Sequence, residues 1–343
     1  VSGDTAYVAA GEGLYILDIS DPAHPKVVSV HKTSGYVEGV AVSGRYAYIA
    51  DGPAGLRVVA ISARAHPAEV GRAYSLNYVF DVVVEGKYAY LAAADAGMLV
   101  VDISDPTHPR EVGTIDMPGY AYGLAVSEST AYIADGWGGL RVVDISDPGN
   151  PREVSSLDTP GWAFDVIVNE RTAYVADGWG GVRVVDVSQR AKPTEVGNYE
   201  VTGGQAASLD IEDGTLYIAD RTKGLWLVDM STPPKLTQVG FYGPMGFADD
   251  VAVAGNYAYV AAGPYGLRVI DVSDVARPRE VGAYDTLGYA WSIAVEGKYA
   301  YVSSLPTAVH RGRLHVIDIS NPAKPTQAAY LEQPPDPPRN MVI

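Results

Sequence analysis

The chain has 343 residues, of which 47% are hydrophobic, and a formal net charge of −16. So acidic a chain is unlike proteins that bind nucleic acid or anionic membrane surfaces, because those proteins need clustered Lys and Arg. The chain has no Cys, which excludes disulfides and thiol chemistry. No apolar run approaches the roughly 20 residues of a membrane-spanning helix, so we expect no membrane insertion.

One phrase recurs eight times along the chain. It begins with Gly-Leu, continues through a β-branched run to Asp, and runs into a Ser-Asp-Pro turn, as in GLRVVDISDP from Gly139. The eight copies start at Gly13, Gly55, Gly97, Gly139, Gly181, Gly224, Gly266 and Arg313. A period of about 42 residues is typical of repeat architectures.

Each repeat contains four short extended segments. They are rich in β-branched and aromatic residues and are bounded by Gly, Pro, Asp or Asn, which is the pattern of strands and turns. No stretch keeps a 3.6-residue apolar period, so we expect almost no helix. Four strands per repeat match one blade of a β-propeller. We predict an all-β fold, an eight-bladed β-propeller of four-stranded blades forming one domain over residues 1–343, with seven blades as the alternative.

The two ends of the chain are complementary in register. Val1-Ser2-Gly3 aligns with Val42-Ser43-Gly44, so the first repeat lacks most of its first (inner) strand. The chain ends in an apolar tail at 340–343, after a Pro-rich connector at 333–338. We predict that this tail pairs into the first blade and closes the ring, which would protect strand edges from aggregation; a disordered tail is the alternative. Because the chain begins at Val1 rather than Met, we expect a processed or trimmed product.

The third strand carries a family resemblance. Its phrase Leu140-Arg141-Val142-Val143-Asp144, with its copies, resembles the repeat of the LVIVD-repeat proteins over about the whole chain. Repeat 2 departs from the pattern with Ala60 in place of Asp, and repeat 8 departs with a longer hairpin at 305–312. The resemblance implies a secreted or cell-surface β-propeller, so we expect that location. It implies no catalytic motif, and no functional residue is carried over.

Two sets of Asp residues recur with the repeat. The first set ends the third strand, where each side chain can cap the following turn by accepting backbone N–H bonds. The second set ends the second strand, and in three repeats an Arg follows six residues later. We interpret these pairs as exposed cross-strand pairs contributing well under about 1 kcal/mol, with a ring of calcium ligands as the alternative. The second set consists of Asp51, Asp135, Asp177 and Asp220.

The predicted inner strands also contain acidic residues. We expect these residues to line a solvated central channel, with a bound cation as the alternative. They are Asp81, Asp165, Asp210, Asp249 and Asp250. The His residues before Pro lie in different repeats, too far apart to bind one zinc ion; they are His24, His66 and His108. No nucleophile elbow, metalloprotease helix or phosphate loop is visible. We therefore predict no catalytic residue, metal or cofactor, and favour a protein that is not an enzyme.

Aromatic residues mark one predicted face of the propeller. The loops from the fourth (outer) strand to the next first strand carry Tyr36, Tyr78, Tyr120, Trp162, Phe247 and Tyr289 at one equivalent position, and Gln205 interrupts the series. The hairpins between second and third strands, expected on the same face, add Trp137, Trp179 and Tyr265. Such rings either bind sugars or peptide side chains, or wedge between neighbouring blades. The candidate ligand-binding residues are Tyr120, Trp137, Trp162, Trp179, Tyr265, Tyr289, Asp135 and Asp177.

These observations favour a non-enzymatic extracellular binding or scaffold module. Its partner would be a protein or a glycan at the aromatic, acidic loop face. One alternative is a hydrolase or lyase that acts on polysaccharide through acidic residues near the channel mouth. The other is a structural surface-layer or filament component that self-assembles through its blade edges.

Overall fold

The computed structural model describes residues 5–10, 13–18, 26–35, 37–75, 77–232, 234–243, 247–305 and 313–332. Within these ranges the chain forms 31 strands and no helix. The all-β prediction is therefore confirmed. The strands form because β-branched and Tyr side chains suit a pleated, buried surface, whereas Gly, Asp and Pro between them suit turns.

The strands form eight antiparallel sheets, each made of strands consecutive in the chain. We call these sheets blades 1 to 8 in chain order. Seven are complete four-stranded blades of a β-propeller, which is the number that the alternative prediction named; blade 1 has three strands among the described residues. The predicted number of eight four-stranded blades is therefore one higher than the number seen among the described residues. The difference lies in the first strand of blade 1, which was predicted to come from the tail at 340–343, outside the described residues.

The chain divides into two compact units. Unit A consists of Val1–Val37, Arg64–His66 and Ala207–Ile343, and unit B of Glu38–Ala63 and Pro67–Ala206. Unit A contains blades 1, 6, 7 and 8, and unit B contains blades 2 to 5. The prediction of one domain over residues 1–343 stays a prediction.

The strands of unit B share a length of five or six residues. Blades 2 and 3 comprise β4 (Gly39–Ser43), β5 (Tyr46–Ala50), β6 (Leu56–Ala60), β7 (Ala68–Ala73), β8 (Asp81–Glu85), β9 (Tyr88–Ala92), β10 (Met98–Asp102) and β11 (Arg110–Ile115). Blades 4 and 5 comprise β12 (Gly123–Ser127), β13 (Thr130–Ala134), β14 (Leu140–Asp144), β15 (Arg152–Leu157), β16 (Asp165–Asn169), β17 (Thr172–Ala176), β18 (Val182–Asp186) and β19 (Thr194–Tyr199).

The strands of unit A are on average slightly longer. Blades 1 and 6 comprise β1 (Thr5–Ala10), β2 (Gly13–Asp18), β3 (Lys26–Lys32), β20 (Ala206–Glu212), β21 (Thr215–Asp220), β22 (Gly224–Asp229) and β23 (Thr237–Tyr242). Blades 7 and 8 comprise β24 (Asp250–Ala254), β25 (Tyr257–Ala261), β26 (Leu267–Asp271), β27 (Arg279–Tyr284), β28 (Tyr289–Glu296), β29 (Tyr299–Leu305), β30 (Arg313–Asp318) and β31 (Thr326–Glu332).

The hydrophobic core lies between the faces of neighbouring blades. Between blades 4 and 5, for example, Tyr132, Leu140 and Val142 pack with Val166 and Val175 of the next blade. All of these side chains are at most 5% exposed. Such clusters join neighbouring blades 2 to 5 in unit B and 6 to 8 in unit A. They form because a single sheet cannot bury its apolar face alone.

Every blade has a β-bulge at the same place, between its third and fourth strands. In blade 4, Val142 pairs with Ser155 and Val143 pairs with Glu153, so Val154 is the additional residue. The equivalent shift occurs in each of the other blades. A bulge bends the strand and increases its twist.

The Asp residues that end the third strands cap turns as predicted. In blade 4, Asp144 Oδ1 accepts the backbone N–H of Ser146 at 3.0 Å. The same contact occurs at Asp102, Asp186, Asp229, Asp271 and Asp318. In five of these six caps the hydrogen bonds to the Ser hold the pKa of the Asp carboxyl below its usual value.

The Asp residues of the first strands are joined to the neighbouring blade. Asp81 Oδ2 accepts the backbone N–H of Leu124 at 3.3 Å, and Asp210 Oδ2 accepts that of Val253 at 2.8 Å. Burial raises the pKa of both carboxyls, although these backbone bonds oppose the shift. The prediction that these residues only line solvent therefore needs a correction, because they also connect blades.

No helix among the residues described has both the length and the apolar character that a membrane span requires.

Candidate functional site

The structure brings together two kinds of loop within each unit. The hairpin between second and third strands lies against the loop that enters the next blade, as when Gly136 and Ala163 exchange backbone hydrogen bonds of 3.1 and 2.9 Å. The same bridge joins Gly178 to Ala206 in unit B and Gly263 to Ala290 in unit A. The two aromatic series therefore share a face, as expected from the sequence.

Three of the predicted residues form one ring cluster in unit B. We call Tyr120, Trp137 and Trp162 the tryptophan platform. The ring centroid of Trp137 lies 5.9 Å from that of Tyr120 and 5.8 Å from that of Trp162, both edge-on. Tyr120 and Trp162 are stacked at 6.5 Å across two blades. Trp137 is 56% exposed and Tyr120 is 38% exposed, so the platform faces solvent.

A hydrogen bond and contacts with neighbouring rings hold the tryptophan platform in place. Trp137 Nε1 donates a hydrogen bond to the Pro118 carbonyl oxygen at 2.6 Å, which fixes the plane of the indole. Tyr122 lies 6.2 Å from Trp162 and 5.6 Å from Phe164, and Phe80 lies 5.0 Å from Tyr122. Phe80, Tyr122 and Phe164 stand at equivalent positions, each immediately before the first strand of its blade, so they form a continuous row across blades 3 to 5. The wedge and binding interpretations are therefore compatible, since the same rings contact neighbours and keep an exposed face.

The two predicted acidic residues lie beneath this surface. Asp135 and Asp177 are both 0% exposed, and their Arg partners, Arg141 and Arg183, are 8% and 9% exposed. Asp135 Oδ2 lies 3.2 Å from Arg141 Nε, and Asp177 Oδ2 lies 3.3 Å from Arg183 Nε. The interpretation of these pairs as exposed is wrong: both Asp side chains are buried, and each is contacted by the loop that leads into its own blade. Burial raises the pKa of both carboxyls, against the opposing effect of their hydrogen bonds and of the Arg side chains.

These carboxylates hold the loops that carry the platform. Asp135 Oδ2 accepts the backbone N–H of Gly119 at 3.0 Å, and Asp177 Oδ2 accepts that of Gly161 at 2.9 Å. The approach is so close that a Cβ added at Gly119 would lie 1.8 Å from the Asp135 carbonyl oxygen. Gly119 and Gly161 each precede a platform residue, and this Gly-aromatic pair is a signal that the sequence contained.

Trp179 occupies the hairpin position of blade 5 that Trp137 occupies in blade 4. It is 69% exposed, more than any platform residue. It therefore contributes an exposed ring on the same kind of hairpin, one blade further along unit B.

The two remaining predicted residues lie in unit A. Phe247 contacts Tyr265 at 6.5 Å and Tyr289 at 6.2 Å, and Tyr289 lies 4.4 Å from Trp291. The Arg268 guanidinium lies 5.7 Å from the Tyr265 ring centroid. Phe247 and Tyr265 are 39% and 46% exposed. The candidate residues thus form two separate aromatic groups, one in each unit.

The unit A group contains a charged residue that the sequence did not single out as a site. Asp249 stands where blades 3, 4 and 5 have Phe80, Tyr122 and Phe164 and blade 2 has Glu38, and its Oδ1 lies 3.4 Å from Arg221 Nε. Aligning the repeats would have shown this substitution of Asp for an aromatic residue. Among the described residues, no three His, Cys, Asp or Glu side chains are grouped as a metal site would be.

Solved structures with the same fold have low sequence identity to the chain. The computationally designed protein Ika8 gives a TM-score of 0.70 at 11% identity, covering 90% of this chain and 92% of that chain. AztD from Citrobacter koseri gives 0.68 at 14% identity, covering 98% and 96%. BamB from Moraxella catarrhalis gives 0.65 at 13% identity, covering 89% of each chain. Such likeness shows the fold alone.

No curated protein is significantly similar to the chain. The LVIVD repeat, by contrast, matches eight consecutive segments that cover nearly all of it: residues 1–33, 34–74, 78–117, 118–159, 160–201, 203–243, 245–286 and 287–329. The segments coincide with the eight sheets, so the chain belongs to the LVIVD-repeat family.

Proposed function

We propose that the protein is a non-enzymatic binding module whose tryptophan platform binds a neutral glycan. The observation that carries this proposal is the fixed and exposed arrangement of Tyr120, Trp137 and Trp162. Rigid aromatic rings offer a large contact area at little cost in conformational entropy.

The chemistry of the platform favours a sugar ring over other partners. The Trp137 N–H already donates to Pro118, so the indole offers a flat face rather than a free donor. A sugar presents a face of C–H groups that can lie on such a ring, because the π face carries partial negative charge. The net charge of −16 disfavours anionic polysaccharides. A protein partner, the other class considered, would be expected to insert anchor residues into a pocket rather than lie on a flat surface.

The contacts of Asp250 support a binding role over catalysis. Asp250 is one of the acidic first-strand residues that a hydrolase or lyase would use for catalysis. Its Oδ1 accepts the Ser208 hydroxyl at 2.8 Å and the Val251 N–H at 2.9 Å. Its Oδ2 accepts the Ser292 hydroxyl at 2.8 Å and the Ile293 N–H at 2.9 Å. A carboxylate with four internal donors is occupied by structural bonds.

We also propose an extracellular or cell-surface location. The composition supports it, with 24 Tyr against 4 Phe. Fractionation of the source cells, followed by immunoblotting, tests this location; recovery of the protein only in the cytosol would contradict it.

A glycan array probed with the intact protein tests the binding function. We expect retention on one or more neutral glycans. Trp137→Ala should reduce that retention at least 10-fold without lowering the melting temperature, because the ring is more than half exposed. Trp179→Ala is the matched control, since the same ring is removed from the same hairpin of the next blade. Absence of any bound neutral glycan, or equal retention by the Trp137→Ala variant, would refute the proposal.

A further inference from the structure

The residue that begins each second strand differs between blades. In blades 2, 3, 7 and 8 it is Tyr, whereas in blades 1, 4, 5 and 6 it is Thr. A Thr side chain is shorter than the ring of Tyr, so a Thr at this position can leave space between its blade and the next. Three of the Tyr side chains pack against an apolar cluster that is shared with the next blade; they are Tyr46, Tyr88 and Tyr257.

At Thr130 this space is a groove of about 650 Å³ between blades 4 and 5. Its lining includes Thr130 and Tyr132 of blade 4 and Val187 of blade 5, all at most 7% exposed. Between blades 2 and 3, Tyr46 packs on the cluster that contains Ile103, the equivalent of Val187. The groove therefore lies where an aromatic ring of the chain itself lies between blades 2 and 3. Its volume is typical of sites for small molecules.

Arg190 also lines the groove, and its side chain is held in place. Its two terminal nitrogens each lie 3.0 Å from an oxygen of Asp144, and its carbonyl oxygen accepts the Ser155 hydroxyl at 2.5 Å. Arg64 likewise contacts the Thr5 hydroxyl at 2.6 Å between blades 1 and 2, so an Arg opposite a Thr has a structural role. A guanidinium paired along one edge still has a flat face, on which an aromatic ring can stack.

Charged residues of both signs line the groove besides Arg190. They are Glu128, Glu170 and Arg171. Their side chains form no hydrogen bond or ion pair with any residue that the structure describes. A ligand that carries both charges satisfies both kinds of group, whereas a simple anion is repelled by the two Glu side chains.

The two Glu residues occupy a backbone conformation that suits Gly. Each is the first residue of the two-residue turn between first and second strands, and each has a φ of +54°. The equivalent residues of blades 2, 3, 7 and 8 are Gly, with φ between +57° and +60°. A Glu side chain in this region is strained, and such strain clusters at functional sites. The placement of both carboxylates beside the groove therefore supports a role in binding.

We propose that this groove binds a free aromatic α-amino acid. The ring of the ligand lies where Tyr46 lies between blades 2 and 3. It packs on Tyr132 and Val187 and stacks on the face of the Arg190 guanidinium, so its burial and its stacking both contribute to affinity. The site is at the end of blade 4 opposite the tryptophan platform, and it does not depend on the proposed function.

The charged groups of the ligand define its class. The ammonium group pairs with Glu128 and Glu170, and the carboxylate pairs with Arg171. An aromatic amine lacks the group that Arg171 binds, and an aromatic acid lacks the group that the two Glu residues bind. Because the groove is open to solvent, salt screens these ion pairs, and the affinity should fall as the ionic strength rises.

Isothermal titration calorimetry of the full chain at low ionic strength tests this site. L-phenylalanine, L-tyrosine and L-tryptophan are titrated separately, and we expect at least one of them to bind saturably. The corresponding amine and the corresponding acid, which each lack one charge, should bind at least 10-fold more weakly. For L-tyrosine these are tyramine and 3-(4-hydroxyphenyl)propionate. L-leucine, which has no ring, should also bind at least 10-fold more weakly.

Two variants separate binding from folding. Glu128→Gly reproduces the turn of blade 2, which has Gly44, so it should keep or raise the melting temperature while weakening binding at least 10-fold. Thr130→Tyr places a ring of the chain in the groove and should abolish binding. Asp213→Gly, which makes the same change in the turn of blade 6, is the control and should leave the affinity unchanged. No saturable binding of any of the aromatic amino acids, equal binding of the amine or the acid, or an unchanged affinity in Glu128→Gly would overturn the proposal.

Discussion

Asp250 forms a direct hydrogen bond to the backbone of the next blade: its Oδ2 accepts the N–H of Ile293, on the first strand of that blade, at 2.9 Å. Asp81 forms the same contact with Leu124 in unit B, and the Asp210–Val253 bond in unit A is similar. In each case a side chain of one first strand completes the hydrogen bonding of the next. The blades are thus connected by directed polar bonds as well as by the apolar core.

Asp250→Ala should destabilise the protein strongly. The substitution leaves the N–H of Ile293 and the hydroxyls of Ser208 and Ser292 without their acceptor. We expect a loss of about 2–4 kcal/mol in the free energy of unfolding, because hydrogen bonds to charged groups contribute more than neutral ones. Urea denaturation followed by circular dichroism measures it. Asp229→Ala, which removes an exposed turn cap, is the control and should lose much less.

Asp135→Ala should also destabilise the protein, and a second substitution should reverse much of the effect. Removing one partner of a buried ion pair typically costs about 3–5 kcal/mol; we expect the lower end, because Glu153 and Asp158 remain near Arg141. Blade 3 has Ala93 and Leu99 at the two equivalent positions. The double variant Asp135→Ala with Arg141→Leu reproduces that pair and removes the uncompensated charge.

Thermal denaturation of the two single variants and the double variant measures this coupling. The double variant should recover at least half of the stability lost by Asp135→Ala alone. Strictly additive losses would show that the pair does not act as a unit.

His315, in blade 8, should make the free energy of unfolding depend on pH. Its ring is 3% exposed and lies 3.0 Å, Nε2 to Oγ, from Ser304. Burial, together with the nearby Arg313, lowers the pKa of His315 to about 4. An unfolded His has a pKa near 6.5, so the unfolded chain binds a proton at a pH where the folded chain does not. Stability from this group is therefore complete above pH 6.5 and declines as the pH falls toward 4.

The expected decline is about 2–3 kcal/mol, from the size of the shift. Urea denaturation at pH 7, 5.5 and 4.5 measures it as the difference between wild type and the double variant Ser304→Ala with His315→Leu. This variant again reproduces the Ala93–Leu99 pair of blade 3, so its apolar replacement is known to fit a blade. Parallel pH profiles for the two proteins would contradict the prediction.

Gly119→Ala should disturb both stability and glycan binding. The added methyl would lie 1.8 Å from the Asp135 carbonyl oxygen, so the loop carrying Tyr120 must move. We expect a loss of more than about 2 kcal/mol, as for other backbone clashes. Gly149→Ala is the control, because its nearest neighbour, Asp147 Oδ1, would be 3.5 Å from the new Cβ. Equal melting temperatures for the two variants would show that the loop accommodates the methyl without strain.

The sequence was sufficient for the fold because the repeat shows four strands, their turns and their equivalent residues directly. The Asp caps could be predicted for the same reason, since they depend on neighbours two residues away, such as Asp144 and Ser146. The number of complete four-stranded blades was overestimated by one; the strand in question was predicted to come from the tail at 340–343, which lies outside the described residues.

The site was less predictable, because burial depends on contacts between blades. Asp135 and Arg141 are adjacent across a hairpin, but both are buried, and the loop at Gly119, which connects blade 3 to blade 4, contacts Asp135. Asp249 was grouped with the other first-strand acidic residues, although it aligns with aromatic residues of other repeats and Asp250 does not. Only the packing shows that the Asp250 carboxylate bonds to the neighbouring blades, whereas that of Asp249 pairs with Arg221.

The β-bulge common to all blades bears on how separate molecules interact. In blade 4 it divides the pairing of β15 into three residue pairs on one side of Val154 and two on the other. A fourth strand interrupted in this way is twisted and presents no long straight edge, so it is a poor template for a strand from another molecule. Eight equivalent interruptions would keep a chain whose described regular elements are all strands from joining its neighbours edge to edge. Any assembly of this protein would then use its loops and side chains rather than an extended intermolecular sheet.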